Sequence, residues 1–473
     1  MADLKLDKQA VGDENERKQI EDYITEVEQL TLEISRVNSE CKLLNDELYK
    51  IKTSKNYRLG KFLLAPLRFG NRAFKKMKRI AKGVITFNGE ALKTELFMPV
   101  IKIKHKLSTT QDKQKFLNEF APAIAKKTLI IFPPTIDWDI PLFQRPQQLA
   151  KAYARRKDTC VLYISPMQKD DHFNFGKQVD EDLYVVNVYH IESVLPILDT
   201  ASKKILSISW AINDIWVDKI KPNNLIYEYI DELEIFNLYG PELVVKHNSL
   251  IAKADVTVST ATKLYDQVKN ASRNPILSTN GGDYEFFAKT KDTQPHHSIA
   301  EIKAEYECVL GYYGALAQWF DYELVAEVAK RKPNWAWVLV GLDYDKTIHS
   351  SGVLDLPNVK FLGPKPYKEL PAFLTAFDIA TIPFIINEIT LSTSPVKLFE
   401  YMAGGKPILT SKMPECFKYE SVYTYGNCNE FISKAEQLLA VDSTNTYWNI
   451  LEKEALENTW DAKVSEILSA LNY

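Results

Sequence analysis

Lys397 and Glu400 stand three positions apart in a segment that predicts a helix. Ser394 is the expected N-cap, Pro395 the first helical residue, and a glycine pair at 404–405 ends the helix. A lysine in the first turn opposes the helix dipole, but with the free backbone N–H groups it forms an anion site. Glu400 lies on the same face, where a carboxylate can accept two hydrogen bonds from neighbouring hydroxyls, as a ribose presents them. A phosphate beside sugar hydroxyls is what a nucleotide-sugar displays.

The elements around this helix fit a site at the edge of a sheet. Residues 378–384 form a short apolar run typical of a buried strand, and a polar loop rich in Ser and Thr follows over residues 387–394. Pro407 then opens the next predicted strand. An i, i+3 ion pair on a solvated helix face is the alternative, and the spacing alone leaves both interpretations open.

Glycine recurs where strands upstream of this helix are expected to end. The strands are predicted at residues 308–313, 335–341 and 359–363. Gly314 and Ala315 directly follow the first strand, and Gly341 closes the second. A glycine after the first strand lets backbone N–H groups approach a phosphate closely.

The preceding part of the chain alternates short apolar runs with helical patterns. Strands are predicted at residues 128–132, 160–164, 184–188, 204–209, 225–229 and 255–259. Alternating βα units indicate a doubly wound parallel sheet, in which ligands bind beyond the carboxyl ends of the strands. That rule places near a cleft the residues Asp137, Trp138, Arg145, Gln147, Asp231 and Glu232. Capping and turn formation are the alternative role of each.

Two Asp-x-Asp triplets, at 137–139 and 343–345, have the spacing that some transferases use to hold a divalent ion. A triplet alone is a weak signal, and turn formation accounts for most examples. His296 and His297 lack the i, i+4 spacing of a helical metal site. We therefore expect no metal and no cofactor.

The segment SPVKLFEYMAGGKPIL, residues 394–409, resembles the donor-binding signature of retaining GT-B glycosyltransferases of family 4, the group 1 type common in surface-polysaccharide assembly. The resemblance implies two Rossmann-like domains and a nucleotide diphosphate sugar as donor, with Glu400 on the donor ribose. Many members carry a second glutamate at the position of Ser392, so Asn387, Glu388 or Thr390 would take over its sugar contacts. The same resemblance places main-chain groups around Phe361 and Gly363 against the donor base.

Further segments resemble relatives of the teichuronic-acid glycosyltransferases, namely FQRPQQLA at 143–150 and the acidic pair at 231–232. The segment 280–283 is similar to the one that closes the first domain in this family. The resemblance implies catalytic roles for Lys397, Glu400 and Asp231. The resemblance and the position of strand ends together predict two sets of contacts. The donor contacts are expected from Gly314, Ala315, Gly341, Phe361, Gly363, Asn387, Thr390, Ser394, Pro395, Lys397 and Glu400, and the acceptor contacts from Asp137, Trp138, Arg145, Gln147, Glu232 and Asp283.

The N-terminal arm carries a heptad seam. Apolar residues alternate spacings of three and four between Ile20 and Ile51, without glycine or proline. One set comprises Ile20, Val27, Ile34, Cys41 and Leu48, and the other Tyr23, Leu30, Val37, Leu44 and Ile51. This pattern predicts a coiled coil, with a parallel dimer favoured, and a long helix packed on its own domain is the alternative.

A basic strip follows the seam. Residues 52–82 contain eleven Lys and Arg residues and no acidic residue, with apolar and aromatic residues at helical spacing opposite the cations. Such a helix suits an anionic membrane interface. RNA binding and a solvated linker are the alternatives.

Length, charge and cysteine content bound the remaining possibilities. A chain of 473 residues with net charge −3 suggests two or three domains and gives no global sign of nucleic-acid binding. Five widely spaced cysteines without a CxxC pair favour a reducing cytoplasm. The N-terminus shows no signal-peptide core. The expected segments are a coiled coil (1–52), a basic linker (53–125), an acceptor domain (126–288), a donor domain (298–444) and C-terminal helices returning to the first domain (445–473).

The sequence therefore predicts a peripheral membrane glycosyltransferase that moves a sugar from a nucleotide diphosphate to a lipid-linked glycan. Two other hypotheses remain open. One is a nucleotide-sugar epimerase of the same fold, which would convert donor without acceptor. The other is a non-catalytic scaffold assembled by the coiled coil, for which Ser392 in place of glutamate is the argument.

Overall fold

The computed structural model describes residues 110–140, 143–233, 240–442 and 446–472. All of them belong to one compact unit, Thr94–Tyr473. The predicted coiled coil at 20–51 and basic strip at 52–84 lie outside the described residues. Among the helices described, none is both long enough and apolar enough to cross a bilayer.

The first sheet has eight strands in the order β3-β4-β2-β1-β5-β6-β7-β8, all parallel except for the antiparallel pair β3 and β4. Its central strands are buried along their whole length, because helices cover both faces. The strands are β1 Thr128–Phe132, β2 Thr159–Ser165, β3 Gly176–Asp180, β4 Leu183–Asn187, β5 Lys203–Ile208, β6 Asn224–Tyr229, β7 Val256–Ser259 and β8 Pro275–Leu277.

The second sheet has six parallel strands in the order β11-β10-β9-β12-β13-β14. The strand order reverses beside β9, and such a point is where open parallel sheets bind ligands. The strands are β9 Cys308–Tyr313, β10 Trp335–Val340, β11 Val359–Gly363, β12 Ile379–Ile382, β13 Ile408–Ser411 and β14 Val422–Tyr425.

Helices connect the strands and cover both sheets. They are α1 Thr110–Ile124, α2 Arg145–Ala154, α3 Leu195–Leu198, α4 Ile215–Ile220, α5 Gly240–Lys253, α6 Thr262–Val268, α7 Tyr284–Phe287, α8 His297–Glu305, α9 Tyr322–Arg331, α10 Thr347–Ser350, α11 Leu370–Leu374, α12 Glu388–Leu391, α13 Val396–Ala403, α14 Pro414–Phe417, α15 Cys428–Leu439, α16 Tyr447–Glu457 and α17 Trp460–Ala470. Short 3₁₀ helices occupy Val188–Ser193, Ala211–Asp214, Ala288–Asp292, Val353–Asp355 and Tyr367–Glu369.

Two chain segments connect the sheets and lie side by side. The Gly282 N–H donates to the Asn458 carbonyl at 2.9 Å, and the Trp460 N–H donates to the Gly282 carbonyl at 3.2 Å. Beyond this crossing, α17 buries Trp460, Val464 and Ile467 in the core that also covers the first sheet. The last helix of the chain therefore packs on the first sheet, although α16 packs on α13 of the second.

Candidate functional site

Three glycines shape the carboxyl edge of the second sheet. Gly314 follows β9, Gly341 follows β10, and Gly363 ends β11. The Gly314 N–H donates to the Val340 carbonyl, and the Gly341 N–H donates to the Gly363 carbonyl, each at 2.9 Å. Gly314 and Gly341 have φ values of +139° and +151°, and a Cβ on Gly341 would lie 1.8 Å from the Gly314 oxygen. Only glycine fits this close stack of backbone.

Lys397 reaches this glycine edge from α13. A Cβ on Gly314 would lie 2.7 Å from Lys397 Cε, so the two residues are in contact. The ammonium lies 5.2 Å from the ring centre of Tyr312 and 5.0 Å from that of Phe384, in cation–π geometry. Burial lowers the pKa of Lys397 to about 8. Across the described parts of the chain, no ion pair or hydrogen bond engages the ammonium, which leaves it for an anion.

The start of α13 differs slightly from the sequence-based prediction. Pro395 is the cap residue and Val396 the first helical residue, without a side-chain cap. The expected cap, Ser394, instead accepts a hydrogen bond from the Asn280 N–H at 3.1 Å, and its carbonyl accepts one from Asn280 Nδ2 at 2.6 Å. Ser394 therefore ties the site to the segment that connects the two sheets.

Glu400 lies one turn further along α13 and is only 4% exposed. The Tyr367 hydroxyl donates to its Oε1 at 3.1 Å. Burial raises the pKa of Glu400 to about 7, although Tyr313, Tyr367 and Lys397 favour the charged form. The alternative of a solvated ion pair between Lys397 and Glu400 is wrong, because Glu400 is buried and the described residues contain no such pair.

The remaining predicted donor residues fall into two groups. Ala315 and Phe361 flank the glycine edge: the Ala315 carbonyl accepts from the Tyr312 hydroxyl at 2.7 Å, and the Phe361 ring lies 6.3 Å from that of His349. Asn387 and Thr390 instead form the capping box of α12. Because the Asn387 oxygen and the Thr390 hydroxyl are used in this turn, the geometry does not support the sugar contacts predicted for them.

Ser392 makes a contact that the sequence did not suggest. Its hydroxyl donates to Glu232 Oε2 at 3.2 Å, and so connects α12 to the loop after β6. Glu232 also accepts from Gln267 Nε2 at 3.0 Å and pairs with Lys263 at 3.3 Å. Burial acts to raise the pKa of Glu232, but the bonds from Gln267, Lys263 and Ser392 hold it below its usual value.

Asp231 occupies a different environment from its neighbour. Its side chain is exposed where the chain leaves the carboxyl end of β6. The surrounding protein nevertheless partly desolvates the carboxylate and raises the pKa of Asp231. An accessible carboxyl group with a raised pKa is a reasonable candidate for proton transfer.

Four of the predicted acceptor residues have clear structural roles. Asp137 is 3% exposed and accepts backbone hydrogen bonds from Gln168, Lys169 and Asp170 at 2.8, 2.6 and 2.7 Å. Trp138 packs edge-on against Phe143 and Tyr163. Gln147 caps α2 through the Gln144 N–H and donates to the Asp137 carbonyl. Arg145 is paired with Glu228 at 2.6 Å and binds the Thr279 carbonyl at 2.9 Å. The geometry therefore gives no support for acceptor contacts from these side chains.

Asp283 differs from those four residues because it lies beside Glu400. Its side chain caps α7 through the Phe286 N–H at 3.2 Å, and its charge raises the pKa of Glu400. The second Asp-x-Asp triplet also forms a turn, in which Asp343 and Asp345 accept backbone hydrogen bonds from Lys346 and Thr347.

Replacing Asp137 by alanine is expected to lower the free energy of unfolding by about 2–3 kcal/mol, because several backbone N–H groups lose a charged acceptor. Urea denaturation measures this change, and nucleotide-induced stabilisation should persist. Asp139→Ala is the control: within the described residues the Asp139 side chain makes an exposed ion pair with Lys177, and its loss should cost less than about 0.5 kcal/mol. The backbone bond from Asp139 to Asp171 remains in this variant. A stable Asp137→Ala protein that had lost acceptor turnover would restore the predicted acceptor role.

Sequence reasoning missed the aromatic and amide groups around the site. Tyr312 and Phe384 form the floor beneath Lys397, and Tyr313 and Tyr367 face Glu400. Gln148 donates to the Tyr367 hydroxyl from the first sheet's α2 at 3.4 Å. Tyr312, Tyr313 and Phe384 had a sequence signal, since each lies at the carboxyl end of a predicted strand.

Comparison with known proteins relates this geometry to a family of transferases. Residues 308–440 match the family model of glycosyl transferases group 1. The matched segment runs from β9 to just past α15 and contains Gly314, Lys397 and Glu400. The chain is also 28% identical over 229 residues to TuaH of Bacillus subtilis (strain 168), whose name describes a teichuronic acid biosynthesis glycosyltransferase. That alignment covers 46% of this chain and 57% of the length of the relative.

Solved structures share the whole two-sheet architecture. Sucrose-phosphate synthase from Thermosynechococcus elongatus has a TM-score of 0.53 at 12% identity, over 73% of this chain and 98% of that one. Anabaena Alr3699/HepE in complex with UDP and glucose has a TM-score of 0.52 at 16% identity, over 72% of this chain and 99% of that one. The predicted α/β fold of GT-B type, with two domains of parallel sheet, is thereby confirmed.

Proposed function

We propose that this protein is a glycosyltransferase that uses a nucleotide diphosphate sugar. The contact between Lys397 and the Gly314 turn carries the proposal, because it places an ammonium that has no ion pair among the described residues against a backbone edge built from glycines. A diphosphate would bind there between the ammonium and the N–H groups at the start of α13, since the Gly314 and Gly341 N–H groups already donate to backbone carbonyls. Glu400 lies one helical turn beyond Lys397. In a nucleotide whose diphosphate binds Lys397, it would accept hydrogen bonds from the ribose hydroxyls.

The proposed reaction exchanges one bond at the anomeric carbon for another. The bond from that carbon to the diphosphate oxygen breaks, and a bond to an acceptor hydroxyl oxygen forms with retention of configuration. The acceptor proton passes to the leaving phosphate. Lys397 and the N–H groups at the start of α13 stabilise the charge that develops on the diphosphate, and this arrangement needs no metal ion. Retention and metal independence rest on the resemblance to family 4 enzymes.

The acceptor would bind on the first sheet, opposite the donor. Asp231 is exposed at the carboxyl end of β6, whereas the other predicted acceptor carboxylates, Asp137, Glu232 and Asp283, accept hydrogen bonds within the protein. We propose a growing, lipid-linked glycan as the acceptor, with the enzyme at the inner face of the cell membrane. The description of TuaH as a teichuronic acid glycosyltransferase supports a polysaccharide acceptor, and the UDP and glucose in the HepE complex support a nucleotide sugar as the donor. The lipid link and the membrane location rest on the basic strip of the sequence.

A thermal-shift screen tests the proposal. UDP, GDP, dTDP and their common sugar conjugates are compared with and without EDTA. A nucleotide present at a concentration one hundred times its Kd raises the free energy of unfolding by about 2.7 kcal/mol. A change of this size gives a readily measured rise in Tm. A rise that EDTA leaves unchanged is the expected result. The absence of a rise with every nucleotide would instead favour the non-catalytic scaffold.

Deleting residues 1–82 is expected to abolish self-association and liposome binding while donor affinity stays unchanged. The reason is that the heptad seam and the basic strip both lie in this arm, whereas the donor site lies far along the chain. Light scattering on a sizing column and sedimentation with anionic liposomes measure the two losses. A truncated protein that still forms dimers would contradict the coiled-coil hypothesis.

A further inference from the structure

A chain of hydrogen bonds joins the two sheets at Glu400. Gln148 Nε2, on α2 of the first sheet, donates to the Tyr367 hydroxyl at 3.4 Å, and that hydroxyl donates to Glu400 Oε1 at 3.1 Å. Gln148 is 3% exposed and Glu400 4% exposed, so both ends of the chain are withdrawn from water. A hydroxyl that accepts one hydrogen bond becomes a stronger donor in its next one, so the bond from Gln148 strengthens the bond from Tyr367 to Glu400. The low polarity of the buried surroundings strengthens each bond further.

Aromatic packing fixes where the Tyr367 hydroxyl points. The Tyr367 ring stacks on Phe286, with centroids 5.2 Å apart and planes at 10°. It also meets the edge of Phe287 at 5.7 Å and 87°. These two contacts from α7 hold the ring from both sides, and they do not involve the hydroxyl. A phenylalanine at this position can therefore keep the same packing and lose only the hydrogen bonds.

The bond from Tyr367 takes one carboxylate oxygen of Glu400 and leaves the other. In the described ranges, no hydrogen bond of normal length reaches Oε2. The buried Tyr313 hydroxyl on β9 faces Glu400 without a hydrogen bond of normal length, and it favours the charged form of Glu400 as a longer, weaker donor. Lys397 on α13 and Asp283 at the cap of α7 are the other charged groups that act on Glu400, with opposite effects.

We propose that Tyr367 is a positioning residue for the nucleotide: its hydroxyl holds Oε1 of Glu400, so that Oε2 is presented to the ribose hydroxyls. This inference rests on the proposed function of the site. Gln148 supports Tyr367 from the first sheet, and so nucleotide binding on the second sheet depends on a residue of the acceptor side. The reason lies in burial, because an unsupported carboxylate at this position would take up a proton and lose acceptor capacity.

The pH dependence of donor binding separates this role from simple packing. The charged Glu400 carboxylate accepts ribose hydroxyls more strongly than its protonated form does, so affinity should rise as the pH increases through about 7. Affinity should fall above about pH 8, as Lys397 loses its proton. UDP-glucose is the probe, since its diphosphate has no terminal phosphate that titrates in this range. If UDP gives no thermal shift, the probe is the sugar conjugate of GDP or dTDP that raises the Tm in the screen.

The rise in UDP-glucose affinity near pH 7 is called the acidic limb of the binding profile. Tyr367→Phe is expected to move this limb to a pH about one unit higher, because the Glu400 carboxylate loses a hydrogen bond that favours its charged form. Affinity at pH 7 should then fall about fivefold, while affinity at pH 9 stays near that of the wild type. Gln148→Ala should shift the limb in the same direction by less. Tyr419→Phe is the matched control, since it removes a tyrosine hydroxyl that bonds Asn458 and does not touch Glu400.

The outcomes distinguish the inference from the proposed function beneath it. An upward shift with Tyr367→Phe and none with Tyr419→Phe supports the positioning role. An equal loss of affinity at every pH, or no loss, overturns it, because packing alone would act in that way. If Tyr367→Phe does not fold, the shift with Gln148→Ala decides the question. A wild-type protein that binds none of the nucleotides refutes the proposed function itself.

Discussion

Replacing Lys397 by methionine is expected to remove nucleotide-induced stabilisation while it raises the Tm of the ligand-free protein. The loss of the ammonium should weaken donor binding by about ten- to a hundredfold, since a hydrogen bond to a charged group contributes about 1.5–3 kcal/mol. If chemistry proceeds, kcat/KM should fall by about a hundred- to a thousandfold, as when one oxyanion donor is removed. Thermal shift and steady-state kinetics measure the two effects.

The gain in stability follows from the pKa of Lys397. Burial lowers that pKa to about 8, well below the value of 10.5 expected in the unfolded chain. Between these values the unfolded state binds more protons, so stability rises with pH across this window, and below about 8 the full cost of the buried charge is present. Methionine carries no charge, and so the variant escapes this cost at pH 7.

Lys406 provides the matched control for Lys397. Burial also lowers the pKa of Lys406 to about 8, and its ammonium donates to the Thr375 carbonyl at 2.8 Å, beyond the opposite end of α13. Lys406→Met should therefore leave the nucleotide response intact. Near-wild-type nucleotide binding by Lys397→Met would overturn the diphosphate assignment, whatever its effect on Tm.

Most of the fold could be predicted from apolar runs. Strands such as β1 and β10 read TLIIF and WAWVLV, and a strand buried on both faces needs such a run. Strand β3 could not be predicted, because GKQVD is half-exposed at the sheet edge and has no apolar pattern. The edge strand β8 was missed for a related reason, since it has only three residues and begins with proline.

Part of the site could also be predicted, because it depends on where strands end. The rule that ligands bind beyond the carboxyl ends of parallel strands brings Gly314, Gly341 and the start of α13 together without further information. The capping role of Asn387 could be predicted only in part, since Asn is a preferred N-cap residue but Thr390 stands where the usual capping box has Glu or Gln. The resemblance led instead to the prediction that Asn387 contacts the donor sugar.

The hydrogen bonds that connect the two sheets could not be predicted from the sequence. Ser392 and Glu232 are 160 positions apart, and Tyr367 and Gln148 are 219 apart. Their meeting depends on how the two sheets face each other, which no local pattern records. A tyrosine in a short 3₁₀ helix has no periodicity that would distinguish a site residue from ordinary packing.

Replacing Glu400 by glutamine is expected to remove the acidic limb of the donor-binding profile. Glutamine keeps the shape of the side chain but has no charge, so UDP-glucose affinity should fall about tenfold at pH 7.5 and no longer change between pH 6 and 7.5. Titration calorimetry at several pH values measures this. Asp321→Asn is the control, because burial raises the pKa of Asp321 as well, and asparagine preserves its role as the cap of α9.

The stability of the Glu400→Gln protein tests the same assignment without a ligand. Burial raises the pKa of Glu400 from 4.5 to about 7, so the folded state binds more protons between these values and stability falls as the pH rises through them. Above about pH 7 the wild type carries the full cost of the charge, and the glutamine variant should therefore have the higher Tm at pH 8.

The contradicting outcome is a Glu400→Gln protein whose UDP-glucose affinity still rises between pH 6 and 7.5. The group that titrates in this range would then be another one, and Asp231, exposed with a raised pKa, would be the next residue to replace. Adding Tyr367→Phe to Glu400→Gln should cause no further change in the pH profile, because the two residues act through one carboxylate.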